Sequence, residues 1–334
     1  MPAPLRLPLV SLPLLAGALA LLTPFASTSA QQAAPLVLSQ LTWFDRAGHA
    51  TGKLGPLGDH GNLELSPDGS RVAVAVVDRV RKTRDIWMYQ TSNGERRQFT
   101  TDPAEENWLI FSPDGARVAI NAFGPEQSGL FVSPATGGQP REAVLTDPSG
   151  AWPVSWSPDG QSILFVTNGP KTSNDIWVLP LSGDRTPKPY QRTEASENWA
   201  AFSPDGRWVA FSSTASSDVP EVYVTRFPTP GRAWRISADG GSQARWRKDG
   251  KEIFYLAPDR TLMAAPVTLG DDTVKVGAIE PLFQITFPYG AYHAFDVAMN
   301  GARFLVNSSV LSGSGQRLQA RAAIDRQGQR QDRR

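Results

Sequence analysis

The sequence predicts an all-β fold, a six-bladed β-propeller built from four-stranded antiparallel blades. The tetrapeptide Ser-Pro-Asp-Gly begins at Ser66, Ser112, Ser157 and Ser203, so its copies are 46, 45 and 46 residues apart. A period near 45 residues is typical of propeller blades. Each copy lies between an apolar residue and an apolar run, and its Pro and Gly suit a hairpin turn. We therefore interpret the motif as a turn between two strands and not as a catalytic site.

Two weaker copies of the turn extend the repeat to six units. Asp249-Gly250 follows Trp246, and Asn300-Gly301 follows Val297; both keep the glycine and lack the proline. Each is again followed by an apolar run, as a second strand requires.

Two further strands are predicted in each unit, which gives four strands per blade. The third-strand segments contain Trp87, Phe131, Trp177, Tyr223 and Met263. The fourth-strand segments end in a hydroxyl residue at Thr100, Thr146, Thr193, Ser237 and Thr286.

One extra third-strand segment lies near the N-terminus, from Leu41 to Asp45. The sixth unit supplies only a first and a second strand, so the N-terminal strand is expected to complete the last blade. N- and C-terminal strands would then share that blade and close the ring without a free sheet edge. A C-terminal segment, from Leu318 to Ile324, could fill the same place, and the sequence leaves both arrangements open.

The beginning of the chain predicts export. The first 30 residues contain one charge, at Arg6, an apolar stretch and small residues before Ala30, as in a secretory signal peptide. We therefore predict a signal peptide at residues 1–30, a spacer at 31–40, the propeller at 41–325 and a disordered polar tail at 326–334. The protein would be periplasmic or secreted, with no membrane span after cleavage; an uncleaved anchor is the alternative.

The composition of the chain argues against several partner classes. The chain has 334 residues, no cysteine and a formal net charge of +1, so no disulfide and no lipid-modified cysteine is available. A charge this close to neutral predicts no nucleic-acid partner.

The repeated turns, the Asp-Ile-Trp third strands and the Phe-Thr fourth strands resemble the TolB-like six-bladed β-propellers. The pattern is most similar to the extracytoplasmic propeller of some bacterial serine/threonine protein kinases, here without a kinase domain. The resemblance covers Leu41 to about Ile324, and it implies the propeller fold. It does not by itself imply one activity, because propellers host many unrelated functions.

Motifs for enzymatic chemistry are absent from the sequence. It contains no nucleophile elbow, no zinc-binding helix motif and no phosphate-binding loop. We therefore predict that the chain is not an enzyme and has no catalytic residue, metal or cofactor. The alternative is a lyase or lactonase with a channel metal held by His49, His60 and His293.

Candidate binding residues lie in the loops between a fourth strand and the next first strand, because such loops gather on one face of a propeller. They place carboxylates beside aromatic rings, which suits a polar ligand or a basic group of a partner. The candidates are Glu105, Glu106, Asn107, Trp108, Trp152, Glu197, Asn198, Trp199, Arg245, Tyr289, Tyr292 and His293. In the competing interpretation, Trp108 and Trp199 pack between blades and the acids are merely solvated.

These observations predict a monomeric exported propeller that binds a protein or peptide partner in the cell envelope without catalysing a reaction. The main alternative is a sensor of glycans or small ligands, in which Trp152, Tyr289 and Tyr292 line one pocket.

Overall fold

The computed structural model describes residues 38–124, 128–147, 150–169, 173–288, 291–298 and 301–310. The predicted signal peptide, the predicted tail and the rival C-terminal strand lie outside these ranges. The described strands form six antiparallel sheets, which confirms the all-β propeller. Within the same ranges, no helix is long and apolar enough to cross a membrane.

The strands follow the chain blade by blade. The first two are β1 (Ser39–Asp45) and β2 (Ala50–Gly58). Blade 1 contains β3 (His60–Leu65), β4 (Arg71–Asp78), β5 (Thr83–Gln90) and β6 (Arg96–Gln98). Blade 2 contains β7 (Leu109–Phe111), β8 (Arg117–Phe123), β9 (Ser128–Pro134) and β10 (Glu142–Thr146). Blade 3 contains β11 (Trp152–Trp156), β12 (Ser162–Asn168), β13 (Asn174–Pro180) and β14 (Lys188–Gln191).

The second half of the ring has one irregular blade. Blade 4 contains β15 (Glu197–Phe202), β16 (Trp208–Ser213), β17 (Glu221–Arg226) and β18 (Trp234–Arg235). Blade 5 contains β19 (Ser242–Trp246), β20 (Glu252–Leu256), β21 (Thr261–Leu269), β22 (Val274–Val276) and β23 (Glu280–Gln284). Blade 6 begins with β24 (Phe295–Val297) and β25 (Arg303–Ser309). Blade 5 has five strands because the long β21 pairs with both β22 and β23.

The N-terminal strands close the ring. The strand order in blade 6 is β24, β25, β1 and β2, and β1 pairs with β25 from Ser39 opposite Ser309 to Asp45 opposite Arg303. The predicted third place of the N-terminal strand is therefore confirmed, and the strand begins two residues earlier than predicted. Inner strands of adjacent blades contact each other around the ring, and β24 contacts β3, so the ring leaves no gap between blades 6 and 1.

The Ser-Pro-Asp-Gly segments are the turns that join the first and second strands of blades 1 to 4. In the first copy, the Ser66 hydroxyl donates to Asp68 (2.5 Å) and accepts the backbone N–H of Arg71 (3.0 Å). The glycine of all six turns has φ between +67° and +73°, a region that residues with a Cβ rarely adopt. The two weaker copies, which end in Gly250 and Gly301, are therefore turns as predicted.

Apolar clusters lie between neighbouring blades and hold the ring together. One cluster joins Leu164 and Ile176 of blade 3 to Val209 and Phe211 of blade 4. Burial of such side chains stabilises each junction by roughly 25 cal/mol for every square ångström of apolar surface removed from water. The inner strands are consequently fixed in place, and side chains at their starts have a rigid base.

Candidate functional site

The inner strands begin on one face of the ring, and four of them are irregular near that face. The pairing register shifts within β3, β11, β15 and β19. Trp199 and Gln243 lie in two of these shifts, with φ of +50° and +56°. A bulge changes the direction in which a side chain points, and a left-handed backbone at a residue other than glycine costs about 1–3 kcal/mol. Backbone strain is therefore present where two of the inner strands enter the ring.

Four aromatic residues from blades 2, 4 and 6 meet on this face; we call Trp108, Trp199, Tyr292 and His293 the aromatic centre. The Tyr292 ring stacks on Trp108 with a centroid distance of 5.7 Å and an interplanar angle of 22°. The His293 ring contacts Trp108 edge-on at 4.7 Å. The Trp199 indole N–H donates to the backbone carbonyl of Tyr292 (2.8 Å). Tyr292 is 49% exposed, so this group presents an aromatic surface to solvent.

Amide side chains hold the backbone of the aromatic centre. Asn62 Oδ1 accepts the N–H groups of Tyr292 (2.8 Å) and His293 (2.9 Å), and its Nδ2 donates to the carbonyl of Asn107 (3.1 Å). Asn121 Oδ1 accepts the N–H of Trp108 (2.7 Å). These bonds connect blades 1, 2 and 6, so the exposed aromatic surface is preorganised.

A buried group of charges lies beside His293; we call Glu64, Arg245 and Asp296 the charge cluster. Arg245 Nη2 is 3.0 Å from Glu64 Oε2 and 2.8 Å from His293 Nδ1, and its Nε is 3.9 Å from Asp296 Oδ1. Asp296 Oδ2 also accepts the N–H of Leu65 (2.8 Å). Arg245 was predicted to bind a ligand, but its guanidinium is already engaged by these neighbours.

Burial determines the protonation of the charge cluster. Burial raises the pKa of Glu64 to about 8. The Arg245 charge opposes this rise, and the nearby Asp296 carboxylate adds to it. Burial, followed by the Arg245 charge, lowers the pKa of His293 well below its usual value. A neutral His293 leaves Nδ1 free to accept a hydrogen bond from Arg245.

Two of the predicted ligand-binding carboxylates are structural. Glu106 is fully buried, where it accepts hydrogen bonds from Arg141 (2.9 Å) and the Thr100 hydroxyl (3.1 Å). Glu197 is also buried and accepts a hydrogen bond from the Thr193 hydroxyl. Burial raises the pKa of Glu106 to about 8, against the effect of Arg141, and raises that of Glu197. Each acid faces inward because the hydroxyl residue that follows the preceding fourth strand donates to it.

The other predicted residues have several environments. Glu105 is exposed, and its backbone pairs with Phe123. Asn107 is partly buried, and the side-chain Oδ1 of Asn198 accepts a hydrogen bond from Asn174 Nδ2 (2.8 Å). Trp152 is partly buried and packs against the apolar cluster between blades 3 and 4. Tyr289 lies outside the described residues.

The three histidines have separate surroundings. His49 pairs with Asp45 (3.1 Å) in an exposed turn. His60 is buried, where Ser39 (3.2 Å) and Tyr89 (3.4 Å) are its side-chain partners. In the part of the chain that the structure describes, no group of three or more His, Cys, Asp or Glu side chains is placed to hold a metal. The hypothesis of a channel metal held by all three histidines therefore has no geometric support.

Sequence reasoning missed four residues that build the site: Asn62, Glu64, Gln243 and Asp296. Asn62 and Glu64 alternate with apolar residues on β3, as Gln243 and Arg245 do on β19. In a strand, alternate residues share a face. Polar residues repeated on one face of an inner strand were the available signal.

Comparison with known proteins identifies the family. The profile of the TolB beta propeller domain matches residues 108–274, half of the chain. The chain belongs to the TolB beta-propeller domain family. A TolB structure from Agrobacterium tumefaciens is 18% identical with a TM-score of 0.63, and the match covers 83% of this chain and 100% of that one. TolB from Acinetobacter baumannii is 15% identical with a TM-score of 0.50, and the match covers 83% and 64%. At these identities, the two structures support the fold alone.

Curated relatives of this TolB-type propeller include an uncharacterised protein and peptidases. The Agrobacterium fabrum protein is 29% identical over 298 residues, which cover 73% of this chain and 95% of the relative. Dipeptidyl-peptidase 5 of Porphyromonas gingivalis is 27% identical over 169 residues, 46% of this chain and 24% of the peptidase. The uncharacterised peptidase YuxL of Bacillus subtilis is 29% identical over 207 residues, 48% of this chain and 31% of the relative.

The peptidase relatives contradict one prediction. The chain was predicted not to be an enzyme, because catalytic motifs are absent from its sequence. That prediction is wrong, since proteins named as peptidases match 33% to 48% of this chain. The chain spans only about a quarter to a third of the length of the two bacterial peptidases.

Proposed function

We propose that this propeller binds polypeptide segments at the aromatic centre. The proposal rests on the exposure of Tyr292. This side chain is 49% exposed, although its backbone is held by Asn62 and its ring stacks on Trp108. Large, rigid aromatic side chains with an exposed face are typical of residues that dominate binding energy. Because the site is preorganised, less conformational entropy is lost on binding.

The peptidase relatives support polypeptide as the ligand class. Peptidases act on polypeptides, and the segments that dipeptidyl-peptidase 5 and YuxL share with this chain cover 46% and 48% of it. Peptide hydrolysis is the second candidate function, and the same relatives favour it. In either case, the propeller would select the polypeptide through its aromatic face.

We also place this binding in the cell envelope. The charge, length and small residues of the first 30 positions support export. The partner would then be a periplasmic or secreted protein or peptide, reached by the exposed face of the ring.

A peptide-binding measurement tests the proposal. Twelve-residue segments of envelope proteins are screened on an array, and the affinity of the best binders is measured by fluorescence anisotropy. We expect Tyr292→Ala to weaken binding about tenfold or more. Leu57→Ala is the matched control, because Leu57 is 41% exposed but lies on the outer strand β2.

Two results would contradict polypeptide binding at the aromatic centre: an array on which no peptide binds, or equal affinity of Tyr292→Ala and the wild type. Mass spectrometry of the same peptides after incubation tests the second candidate. Cleavage faster than in buffer, by a preparation free of contaminating peptidase, would support hydrolysis, and intact peptides would contradict it.

A further inference from the structure

A second cleft lies on the same face as the aromatic centre, between blades 1 and 2. It has a volume of about 320 Å³. Its walls are the turn between β4 and β5 and the loop that leads to β7. The lining residues are Val77, Arg79, Lys82, Thr83, Arg84 and Glu105. We propose that this cleft binds a carboxylate of the polypeptide, either an acidic side chain or the C-terminus; the proposal rests on polypeptide binding by the propeller.

The cations of the cleft are not all neutralised by the protein. Arg79 pairs with Asp59 at 2.6 Å. Among the described residues, Lys82 and Arg84 form no ion pair, and the buried Nε of Arg84 has no hydrogen-bond acceptor. Glu105 is the one acid of the lining, so a positive charge remains. A planar guanidinium suits a carboxylate, which accepts paired N–H groups.

Exposed apolar side chains flank the cleft. Phe123 is 57% exposed, and its backbone exchanges two hydrogen bonds with Glu105, 2.9 and 3.0 Å long. Val80, at the turn beside Arg79, is 92% exposed. A carboxylate with an apolar neighbour in the same segment could therefore contact both the cations and these side chains, whereas an inorganic anion would use only the cations.

The cleft is continuous with the aromatic centre along the chain. Glu105 is three residues before Trp108, a separation of about 10 Å in extended chain. The N–H of Glu106 donates to the carbonyl of Arg84 (2.9 Å), which fixes the loop to blade 1. One extended peptide of a few residues could reach from Tyr292 to the cleft, so the two sites would set the register of one ligand.

Four versions of one fluorescein-labelled peptide test the proposal. Each is a ten-residue Gly/Ser peptide with one phenylalanine, and carries a free C-terminal carboxylate, a C-terminal amide, an amide with one internal glutamate, or an amide with one internal glutamine. We expect the wild type to bind at least one carboxylate version about tenfold more tightly than its neutral counterpart. The free-acid and glutamate versions distinguish the two sources of the carboxylate.

Substitutions in the cleft test whether the preference for carboxylate peptides depends on its cations. Arg84→Gln and, separately, Lys82→Gln should each reduce the preference at least threefold; Lys82 is exposed, so its variant does not disturb packing. Arg207→Gln is the matched control, because it removes the same charge from a turn on the opposite face. A preference that survives in both cleft variants overturns the proposal.

Other outcomes distinguish a failure of the carboxylate cleft from a failure of polypeptide binding. Equal affinity for charged and neutral peptides overturns the carboxylate cleft and leaves polypeptide binding intact. Failure of all four versions, together with failure of the peptide array, overturns polypeptide binding itself.

Discussion

Replacement of Glu64 by glutamine tests the charge cluster through the pH dependence of stability. Glu64 has a pKa of about 8 in the folded protein, against an ordinary value of 4.5. A raised pKa means that the folded state binds the proton more tightly than the unfolded chain. The contribution of Glu64 to the free energy of unfolding is therefore largest below pH 4.5 and is lost as the pH rises from 4.5 to 8.

Between pH 6.5 and 8, the change in the free energy of unfolding reports the buried carboxyl groups of Glu64 and Glu106. Glu106 shifts in the same direction, also to about 8. The pKa values of His60 and His293 are lowered, so their contribution is lost only as the pH falls below 6.5. One carboxyl group that titrates near pH 8 lowers stability by about 1–2 kcal/mol across this window. The two groups together give a fall of about 3 kcal/mol.

Glu64→Gln should halve this fall, because glutamine does not titrate and still offers an oxygen to Arg245. The measurement is urea unfolding followed by tryptophan fluorescence at pH 6.5, 7, 7.5 and 8. Glu95→Gln, which removes an exposed carboxylate of blade 1, is the control and should keep the wild-type fall. A Glu64→Gln variant with the full wild-type fall would refute the assignment of one of these protons to Glu64.

Three further predictions concern stability and can be measured by urea unfolding at pH 7. Arg141→Met, measured instead at pH 9 where Glu106 is ionised, should cost about 3 kcal/mol, because it leaves the buried Glu106 carboxylate without its cation; adding Glu106→Gln should recover part of the loss, and no recovery would contradict this explanation. Gly160→Ala should cost about 1 kcal/mol from its positive φ alone, whereas Gly301→Ala should cost more, since its added Cβ would lie 2.8 Å from a neighbouring side chain; equal costs would contradict the steric argument. Leu41→Ala should cost about 3 kcal/mol, because Leu41 is fully buried in the strand that closes the ring; a loss below about 1 kcal/mol would contradict its role in closure.

The fold was predictable because its signals are local. Glycine and the Asp or Asn before it mark the turn even where the proline is lost, so the copy that ends in Gly301 retained a recognisable pattern. The position of the N-terminal strand followed from the spacing between Trp43 and the first turn, and the pairing of β1 with β25 confirms it.

The site was only partly predictable, because its contacts join distant parts of the chain. The loops pointed to Trp108, Trp199 and Tyr292, which do meet. Glu64 lies 181 residues from Arg245, and the Asp296 contact with Leu65 spans 231 residues; no local motif marks either pair. The absence of catalytic motifs was also a poor guide to relatives, since proteins named as peptidases match 46% and 48% of this chain.

Photo-crosslinking of a bound peptide tests the central claim most directly. A peptide selected on the array is synthesised with a benzophenone side chain, irradiated in complex with the propeller, and the attachment sites are mapped by mass spectrometry. Polypeptide binding at the aromatic centre predicts attachment in the segments that contain Trp108, Trp199 and Tyr292, and loss of attachment in Tyr292→Ala. Attachment mainly to the Ser-Pro-Asp-Gly turns, on the opposite face, would contradict it.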